Sequence, residues 1–411
     1  MTLIPPIEDF ADPDYDPFKA EEGVFGEVSD IHARIEEMRA RGDVLEGSFM
    51  SLLGFDWPSA VPTFTLLSYD HVARALTDFK SFSNECFKTT LGMTFGRTIS
   101  AMDPPEHPRY RRIFQKAFLP QNIARWGDEI VDVVVTDLVS KFRDRGHADL
   151  IDEFTKLYPF QVIYRLLDLP EGDGPIFHKL SASQNMVYTE EGKEAARKLG
   201  AYFTGLVAER RRNPGNDLAS VLINAEVEGE KLPEDVIVSF LRQLINAAGD
   251  TTFRGTSVML TGLLANPDQL EALRADRSLM NQAIEEALRW DPPVTWTERT
   301  AAIDMQLDNI AVPAGSKIVP VLASANIDEA VFDDGERFDI FRKRTKPPVI
   351  FAFGPHMCVG QHLAKLEMTR AINALLDRLP DLRLDPDKPK PVVQGAMLRY
   401  PKHLHVIFDQ P

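Results

Sequence analysis

A helical pattern runs without a break from residue 234 to residue 264 and predicts a helix roughly 45 Å long. Its interior contains the charged residues Arg242, Asp250 and Arg254. Charges at that density are costly inside a bilayer. The sequence therefore predicts a long buried helix of a soluble protein, not a membrane span.

The rest of the chain is also predominantly helical in pattern. Apolar spacing predicts further helices over 27–42, 69–76, 106–117, 121–145, 150–167, 174–186, 190–212, 267–275 and 279–290. Strand-like segments are short and lie mostly after Val294, at 61–67, 298–303, 305–312, 317–321 and 404–408, with small hairpins around AVPAG. The first 25 or so residues are expected to be irregular, and residues 80–104 to form a long loop. The predicted fold class is mainly α with small β-sheets, an α+β arrangement.

Neither a repeat nor a Gly/Ser-rich linker divides the sequence, so we predict one large domain over residues 1–411. The formal net charge is −16, which argues against general nucleic-acid binding because phosphates require a basic face. The acidic, proline-containing N-terminus MTLIPPIEDFADPDYDP lacks the features of a signal peptide, and apolar runs are too short to span a bilayer. We predict a cytoplasmic protein without membrane attachment, and a monomer.

The two cysteines, Cys86 and Cys358, are too few for a disulfide framework, a CxxC zinc site or a cysteine-ligated iron–sulfur cluster. Cys358 lies between a Phe/Gly/Pro-containing segment and an amphipathic helix that begins after Gly360. Backbone N–H groups at such a junction stabilise a thiolate, and a single thiolate suits the axial position of a haem iron. The alternative is a buried, inert cysteine. Cys86 is expected to be a thiol without a ligand role.

The residues around Cys358 favour the first interpretation. Phe351, Phe353, Gly354, His356, Cys358 and Gly360 fall in one register, and the segment resembles the cysteine-ligand loop of the cytochrome P450 family. The resemblance covers roughly residues 60–408. It implies the cytochrome P450 fold and a haem b (iron protoporphyrin IX) bound through Cys358, with Phe351 and Gly360 among the cofactor-binding residues.

A second match is Glu286–Arg289, an ExxR pair on one face of the predicted helix 279–290. In the family, this pair is completed by an arginine from a downstream PxRF-like segment. Here that segment is FDDGERFD, so the resemblance implies that Arg337 joins Glu286 and Arg289 in a structural cluster. Gly335 stands where proline is usual.

A third match lies in the long helix, in the polar run Ala247 to Thr252. Asp and Thr compete for backbone hydrogen bonds inside a helix, so we expect a local reason for them, such as a widened turn or a groove. By resemblance, Thr251 hydrogen-bonds the activated oxygen and Asp250 delivers protons from solvent. The usual glycine is Ala248 here. A polar kink satisfied within the protein is the alternative.

A fourth match is DPPEHPRYRRIFQKAF, residues 103–118, in which His107 and Arg111 share a helix face. The resemblance implies that His107 and Arg111 contact a haem propionate, as do Arg299 and His356. Charge-assisted partners are what a buried carboxylate requires.

These matches imply an EC 1.14 oxidoreductase that inserts one oxygen atom from O2 into a small hydrophobic substrate by hydroxylation, epoxidation or dealkylation. A nicotinamide-binding motif, a flavin domain and an iron–sulfur segment are not evident in the sequence, so we expect electrons from NAD(P)H through a reductase and a 2Fe-2S-type ferredoxin. Residues 341–370 hold six basic residues and one acidic residue. The predicted acidic partner docks near a basic patch that comprises Arg109, Arg112, Lys116, Arg342, Arg344 and Lys365. A solvated run of charges is the alternative.

The resemblance also implies an apolar substrate pocket, lined by Phe87, Leu91, Met93, Met186, Leu244, Ala248, Val294, Trp296 and Met397. A terpenoid, aromatic, fatty or steroid-like compound would fit such a pocket. Arg97 could bind a carboxylate there or be structural. Two other functions stay open: a peroxide-driven or non-oxygenase haem-thiolate enzyme, and a non-catalytic haem-binding protein.

Overall fold

A computed structural model describes residues 3–410 of the chain. Its helices are Pro17–Phe25 (α1), Ile31–Arg39 (α2), Phe49–Leu52 (α3), Tyr69–Thr77 (α4), Leu91–Phe95 (α5), Glu106–Ala117 (α6), Pro120–Trp126 (α7), Asp132–Ser140 (α8), Tyr158–Leu166 (α9), Gly174–Ser183 (α10), Glu190–Arg212 (α11), Leu218–Asn224 (α12), Glu234–Ala265 (α13), Pro267–Ala275 (α14), Met280–Trp290 (α15), Leu322–Asn326 (α16) and Gln361–Arg378 (α17).

The strands are shorter than the helices. They are Val44–Glu46 (β1), Thr63–Leu66 (β2), Phe82–Ser83 (β3), His147–Asp149 (β4), Glu226–Val227 (β5), Glu230–Lys231 (β6), Arg299–Ala301 (β7), Met305–Leu307 (β8), Ile310–Val312 (β9), Lys317–Pro320 (β10), Arg383–Leu384 (β11), Val393–Gln394 (β12), Tyr400–Pro401 (β13) and His405–Ile407 (β14). This composition confirms the predicted mainly helical fold with small sheets.

The chain forms two compact units. The first contains the residues up to Val24, Asn84–Val134 and Tyr158–Asp250, and the second contains Phe25–Ser83, Val135–Leu157 and the residues from Thr251 onward. Helix α13 contributes to both units. Among the described residues, helices that combine the length and the apolar character needed to cross a bilayer are absent.

In the first unit, α13 is held by close aromatic contacts. The rings of Phe114 and Phe240 stack with their centroids 4.0 Å apart. A Cβ atom added at Gly249 would lie 2.4 Å from the ring of Phe160, so only glycine allows this approach. Helix α11 is N-capped by Thr189, whose hydroxyl accepts the Gly192 N–H.

In the second unit, the main sheet has the strand order β1-β2-β10-β7-β3. Strands β2 and β10 are parallel, with Phe64 opposite Ile318, and the other pairs are antiparallel. Two neighbouring residues of β10 belong to different hydrophobic clusters. Ile318 packs in the cluster that contains Leu66, and Val319 packs in the cluster that contains Leu67. Since successive side chains point to opposite faces, both faces of this sheet are buried.

Most element predictions are confirmed. Helices α6, α11 and α14 have the predicted bounds, and α13 extends one residue beyond its predicted end. The hairpin predicted within 305–312 is the β8–β9 pair, but its turn lies at Asp308, where φ is +50°, and not around AVPAG.

Other element predictions were wrong. The helix predicted over 150–167 is a π-helical turn at Ile151–Thr155 followed by α9. Residues 17–25 form helix α1 where irregular chain was expected, and residues 80–104 contain β3, α5 and short 3₁₀ turns instead of one long loop. The helix predicted over 121–145 is divided into α7 and α8 by a π-helical turn at Gly127–Val131 and ends at Ser140.

Candidate active site

A ten-residue loop, Phe351–Gly360, places Cys358 immediately before α17. The Cys358 N–H donates to the Phe351 carbonyl at 2.8 Å, and a 3₁₀ turn at Gly354–His356 forms the tip between them. Cys358 is an exposed residue. The loop thus presents one sulfur at the positive end of an eighteen-residue helix.

The loop is fixed to the main sheet unit by close packing. Gly354 has φ +69°, and a Cβ atom there would lie 2.7 Å from the Leu76 carbonyl oxygen, so only glycine fits. Phe353 packs against Tyr69, with ring centroids 6.4 Å apart. Before the loop, the side-chain amide of the buried Asn326 forms two hydrogen bonds with the backbone of Val349. Its Nδ2 donates to the Val349 carbonyl at 3.1 Å, and its Oδ1 accepts the Val349 N–H at 2.7 Å. These contacts hold the backbone of the cysteine loop and of the segment before it.

The predicted Glu286–Arg289 pair is fully buried. The Arg289 guanidinium forms two bonds to the Glu286 carboxylate, 2.9 and 2.7 Å long, and also donates to the carbonyl oxygens of Asn326 and Gly335. Burial lowers the pKa of Arg289, and the Glu286 carboxylate opposes that shift. The bonds join α15 to the irregular segment that precedes the cysteine loop.

The third member of this cluster is Arg342, so the assignment of that role to Arg337 was wrong. Arg342 Nε donates to Glu286 Oε1 at 3.0 Å, and its side chain is only 7% exposed. The Arg337 side chain is exposed, and this residue contributes its carbonyl oxygen, which accepts from Arg289 and Arg342. Gly335, the departure from the family pattern, is required by packing, because a Cβ atom there would lie 2.4 Å from the Ile327 carbonyl oxygen.

Asp250 and Thr251 lie in the middle of α13, which is α-helical throughout, so the widened turn considered from the sequence is not present in this helix. In the first unit, the buried Asp250 accepts a bond from Asn185 Nδ2 at 3.4 Å. Along the same stretch Ala247 is exposed, while Ala248 and Thr251 are half-buried. This stretch therefore has accessible small side chains next to a buried carboxylate.

The four residues predicted to contact propionates are distributed over both units. In the first unit, His107 is buried and Arg111 half-buried, one turn apart on α6. Burial, together with the Arg111 charge, lowers the pKa of His107 to about 4, so this imidazole is neutral at pH 7. In the second unit, Arg299 is buried in β7 and donates to the Glu298 carbonyl at 2.7 Å, and His356 lies half-buried in the cysteine loop.

The predicted pocket residues differ in their accessibility. In the first unit, Phe87 and Leu91 are half-buried, Met93 is 45% exposed, and Met186 and Leu244 are buried. In the second unit, Val294 is half-buried and Met397 packs against the core. Trp296 is buried in a hydrophobic cluster, and its role in the pocket stays a prediction. Arg97 is committed to Glu106 and Asp235 and cannot serve as a carboxylate clamp without giving them up.

The predicted basic patch is only partly available. Arg342 and Arg344 are 7% and 13% exposed and bind Glu286 and Glu285, so their assignment to a docking surface was wrong. Lys365 is 25% exposed and also binds Glu285, at 2.7 Å. The remaining three basic residues, Arg109, Arg112 and Lys116, follow the outer side of α6 and are each exposed.

An acidic hairpin lies against these three residues. The β5–β6 hairpin turns at Glu228 and Gly229, both with positive φ. Its Glu230 carboxylate pairs with Arg109, and its Glu228 carboxylate lies 2.9 Å from the Arg112 guanidinium. Lys116 donates to the Glu226 carbonyl. We call this hairpin, residues 226–231, the acidic hairpin. The sequence analysis missed it because its partners on α6 are more than a hundred positions away in the chain.

Comparisons with known proteins agree with this geometry. The sequence model of the family described as Cytochrome P450 matches residues 186–408. Cytochrome P450 monooxygenase PikC of Streptomyces venezuelae is 31% identical over 357 residues, covering 84% of this chain and 83% of its own.

Solved structures give the same result over nearly the whole chain. Cytochrome P450 CYP109Q5 from Chondromyces apiculatus superimposes with a TM-score of 0.82 and 30% identity, over 93% of this chain and 96% of its own. CYP109E1 from Bacillus megaterium, solved in complex with testosterone, has a TM-score of 0.79 and 27% identity, over 92% of this chain and 99% of its own.

Proposed function

The chain belongs to the cytochrome P450 family, and we propose that it is a ferredoxin-dependent monooxygenase that oxidises a hydrophobic, steroid-sized molecule. It has the cytochrome P450 fold, and relatives are named monooxygenases, which makes it an oxidoreductase of the EC 1.14 class. The observation that carries the proposal is Cys358, an exposed cysteine on a closely packed loop directly before a long helix.

The residues present suit the haem that the family binds. Cys358 offers a sulfur of the type that holds haem iron, and Arg299, His356, His107 and Arg111 are the donors we propose for the two propionates. When bound, a haem with a thiolate ligand supplies dioxygen cleavage and the oxidant for the substrate.

The protein's own contribution to chemistry centres on proton delivery. We propose that Asp250 passes protons toward the Thr251 hydroxyl, which holds one at its Oγ1 atom for transfer. Support comes from the bond between Asn185 and Asp250, which orients a buried carboxylate, and from the partial accessibility of Thr251. Replacing Thr251 by Ala is expected to uncouple NAD(P)H consumption from product and release peroxide, while Thr252→Ala, at a buried neighbour, serves as the matched control.

The class of reaction can be tested by comparing two sets of reactants, O2 with an electron donor and peroxide alone. Product is expected from NAD(P)H with a reductase and a 2Fe-2S ferredoxin, and only a minor amount from peroxide alone. Product from peroxide alone, without turnover under reductant, would favour the peroxide-driven alternative. Cys358→His is expected to abolish oxygenation while haem still binds, and unchanged turnover would contradict ligation by this sulfur.

The substrate proposal is supported by apolar side chains in the first unit, Phe87, Leu91, Met186 and Leu244, and by the testosterone complex of the structural neighbour. A screen that follows the haem absorption band should give its largest shifts with steroids and terpenoids. Preferred binding of short, polar or anionic compounds would contradict this proposal.

We propose that the ferredoxin docks on the outer side of α6, through Arg109, Arg112 and Lys116. Electrostatic complementarity mainly raises the association rate of such partners, and acidic ferredoxins suit a basic face. The acidic hairpin occupies the same residues, so the partner has to replace its carboxylates. The single domain over 1–411, the monomeric state and the cytoplasmic location stay predictions.

A further inference from the structure

Two histidines and an aspartate meet on the small sheet of the second unit, which has the strand order β11-β14-β4. Asp149 ends β4 and lies directly opposite His405, the first residue of β14. His403 precedes His405 by two positions, and alternate residues of an extended chain point to the same face. The strand pairing thus brings together residues that are 254 positions apart in sequence.

The three side chains direct polar atoms toward one another. His403 Nδ1 lies 2.7 Å and His405 Nδ1 3.9 Å from Asp149 Oδ2. The two imidazole rings are nearly parallel, at 9°, with their centroids 5.3 Å apart. One donor atom from each residue can be chosen so that all three lie within 4.8 Å of one another.

The carboxylate is held in place while the imidazoles stay accessible. Asp149 Oδ1 accepts the N–H groups of Leu404 at 3.0 Å and Ile151 at 3.1 Å. The side chain of Asp149 is 14% exposed, that of His405 30% and that of His403 60%. Outer hydrogen bonds of this type orient a metal ligand, and the open side faces solvent, from which an ion can enter.

We propose that Asp149, His403 and His405 bind a divalent transition-metal ion of the Zn²⁺ type. Two imidazole nitrogens and one carboxylate oxygen are ligands that Zn²⁺ accepts, and water would complete a tetrahedral site. Ligand atoms of such a site are about 3.3 Å apart, given bonds of about 2.0 Å. The distances of 2.7 and 3.9 Å from Asp149 Oδ2 to the two imidazoles lie on either side of this value, so each ring has to shift by only a fraction of an ångström. The ion would fasten the last strand, β14, to β4.

Calorimetric titration of the haem-loaded protein with Zn²⁺, after treatment with a chelator, tests the proposal. We expect one Zn²⁺ per chain in the wild type, and affinity at least about tenfold lower in His403→Asn, His405→Asn and Asp149→Asn. Mg²⁺, which prefers oxygen ligands, should not bind measurably. The exposed His403 allows substitution without disturbing the fold, and the haem spectrum of each variant verifies this.

His71 offers a matched control. Its Nε2 atom lies 3.4 Å from Asp308 Oδ1, and among the described residues this pair belongs to no group of three metal-type donors. His71→Gln should therefore bind Zn²⁺ like the wild type. Zn²⁺ should also raise the Tm of the wild type but not of His403→Asn. Absence of Zn²⁺ binding in the wild type, or unchanged binding in both His403→Asn and His405→Asn, would overturn the proposal.

Discussion

Two glutamates of the second unit are both buried, yet their surroundings differ completely. Glu286 on α15 is bound by Arg289 and Arg342, and its Oε1 also accepts the Asp339 N–H at 2.9 Å. Glu367 on α17 is 2% exposed, and its Oε2 atom has no hydrogen-bond partner among the described residues. Burial alone raises the pKa of Glu367 well above its ordinary value. One site thus holds a carboxylate charge, and the other favours a neutral acid.

The difference shows that burial does not fix the role of an acidic residue; its partners do. A buried ion pair that loses one member leaves an uncompensated charge, which is more costly than never having had the pair. A buried carboxylic acid without a cation can be replaced by a neutral group at little cost. The following predictions test this contrast.

The largest effect is expected from Glu286→Gln. The substitution leaves the guanidinium groups of Arg289 and Arg342 buried without a carboxylate, and should lower the free energy of unfolding by about 3–5 kcal/mol. Denaturant titration of the haem-loaded protein measures this. A loss below about 1 kcal/mol would mean that the ion pairs of Glu286 with Arg289 and Arg342 do not stabilise the fold as expected.

A smaller loss is expected from Arg342→Gln, about 1.5–3 kcal/mol, because one charged hydrogen-bond donor is removed from Glu286. Arg337→Gln is its matched control, since that side chain is exposed and only the carbonyl of this residue takes part. Unfolding curves of the two variants should differ clearly. If Arg337→Gln were the more harmful, the reassignment of the third cluster member would be wrong.

Glu367→Gln is expected to change stability by less than about 1 kcal/mol at neutral pH, and in the stabilising direction. The folded pKa of Glu367 is above the unfolded value of about 4.3. Its contribution to stability is therefore complete below that unfolded value and is lost as pH rises through the folded pKa. The variant should have a flatter pH dependence of unfolding over this range than the wild type. A strong destabilisation like that of Glu286→Gln would show that Glu367 is charged and paired.

The smallest effect is expected at the acidic hairpin. Glu228→Gln, at a side chain 74% exposed, should leave the Tm almost unchanged but lower the ferredoxin KM about two- to threefold at low salt. Glu190→Gln, an exposed glutamate of α11 paired with Lys193, is the control and should leave the ferredoxin KM unchanged. A raised KM in Glu228→Gln would argue that the hairpin helps docking instead of competing with it.

Local patterns in the sequence predicted what depends on neighbours along the chain. The start of α17, the shared face of Glu286 and Arg289 on α15 and the bounds of α6 follow from periodicity and spacing. The cysteine loop was predicted from its resemblance to the family. The third arginine could not be located in this way. Residues 327–348 contain no helix or strand, so which of Arg337 and Arg342 turns inward is decided by packing against Ile327 and Asn326.

The sequence also did not predict which distant segments of the chain contact each other. The burial of Trp296 is one example, because it depends on a bridge to Val321 and on the hydrophobic cluster that Trp296 joins. The acidic hairpin and the Asp149–His403–His405 group each depend on contacts between segments far apart in the chain. The signal for such sites is the strand register, which single-sequence patterns do not contain.

Because the acidic hairpin lies on the same arginines that a ferredoxin would use, dissolved salt acts on two competing attractions at once. Dilute buffer strengthens the internal contact as well as the external one, and concentrated salt weakens both. Reduction of this enzyme by an acidic carrier should then proceed fastest at an intermediate ionic strength, whereas an enzyme with an uncovered basic face would only slow down as salt is added.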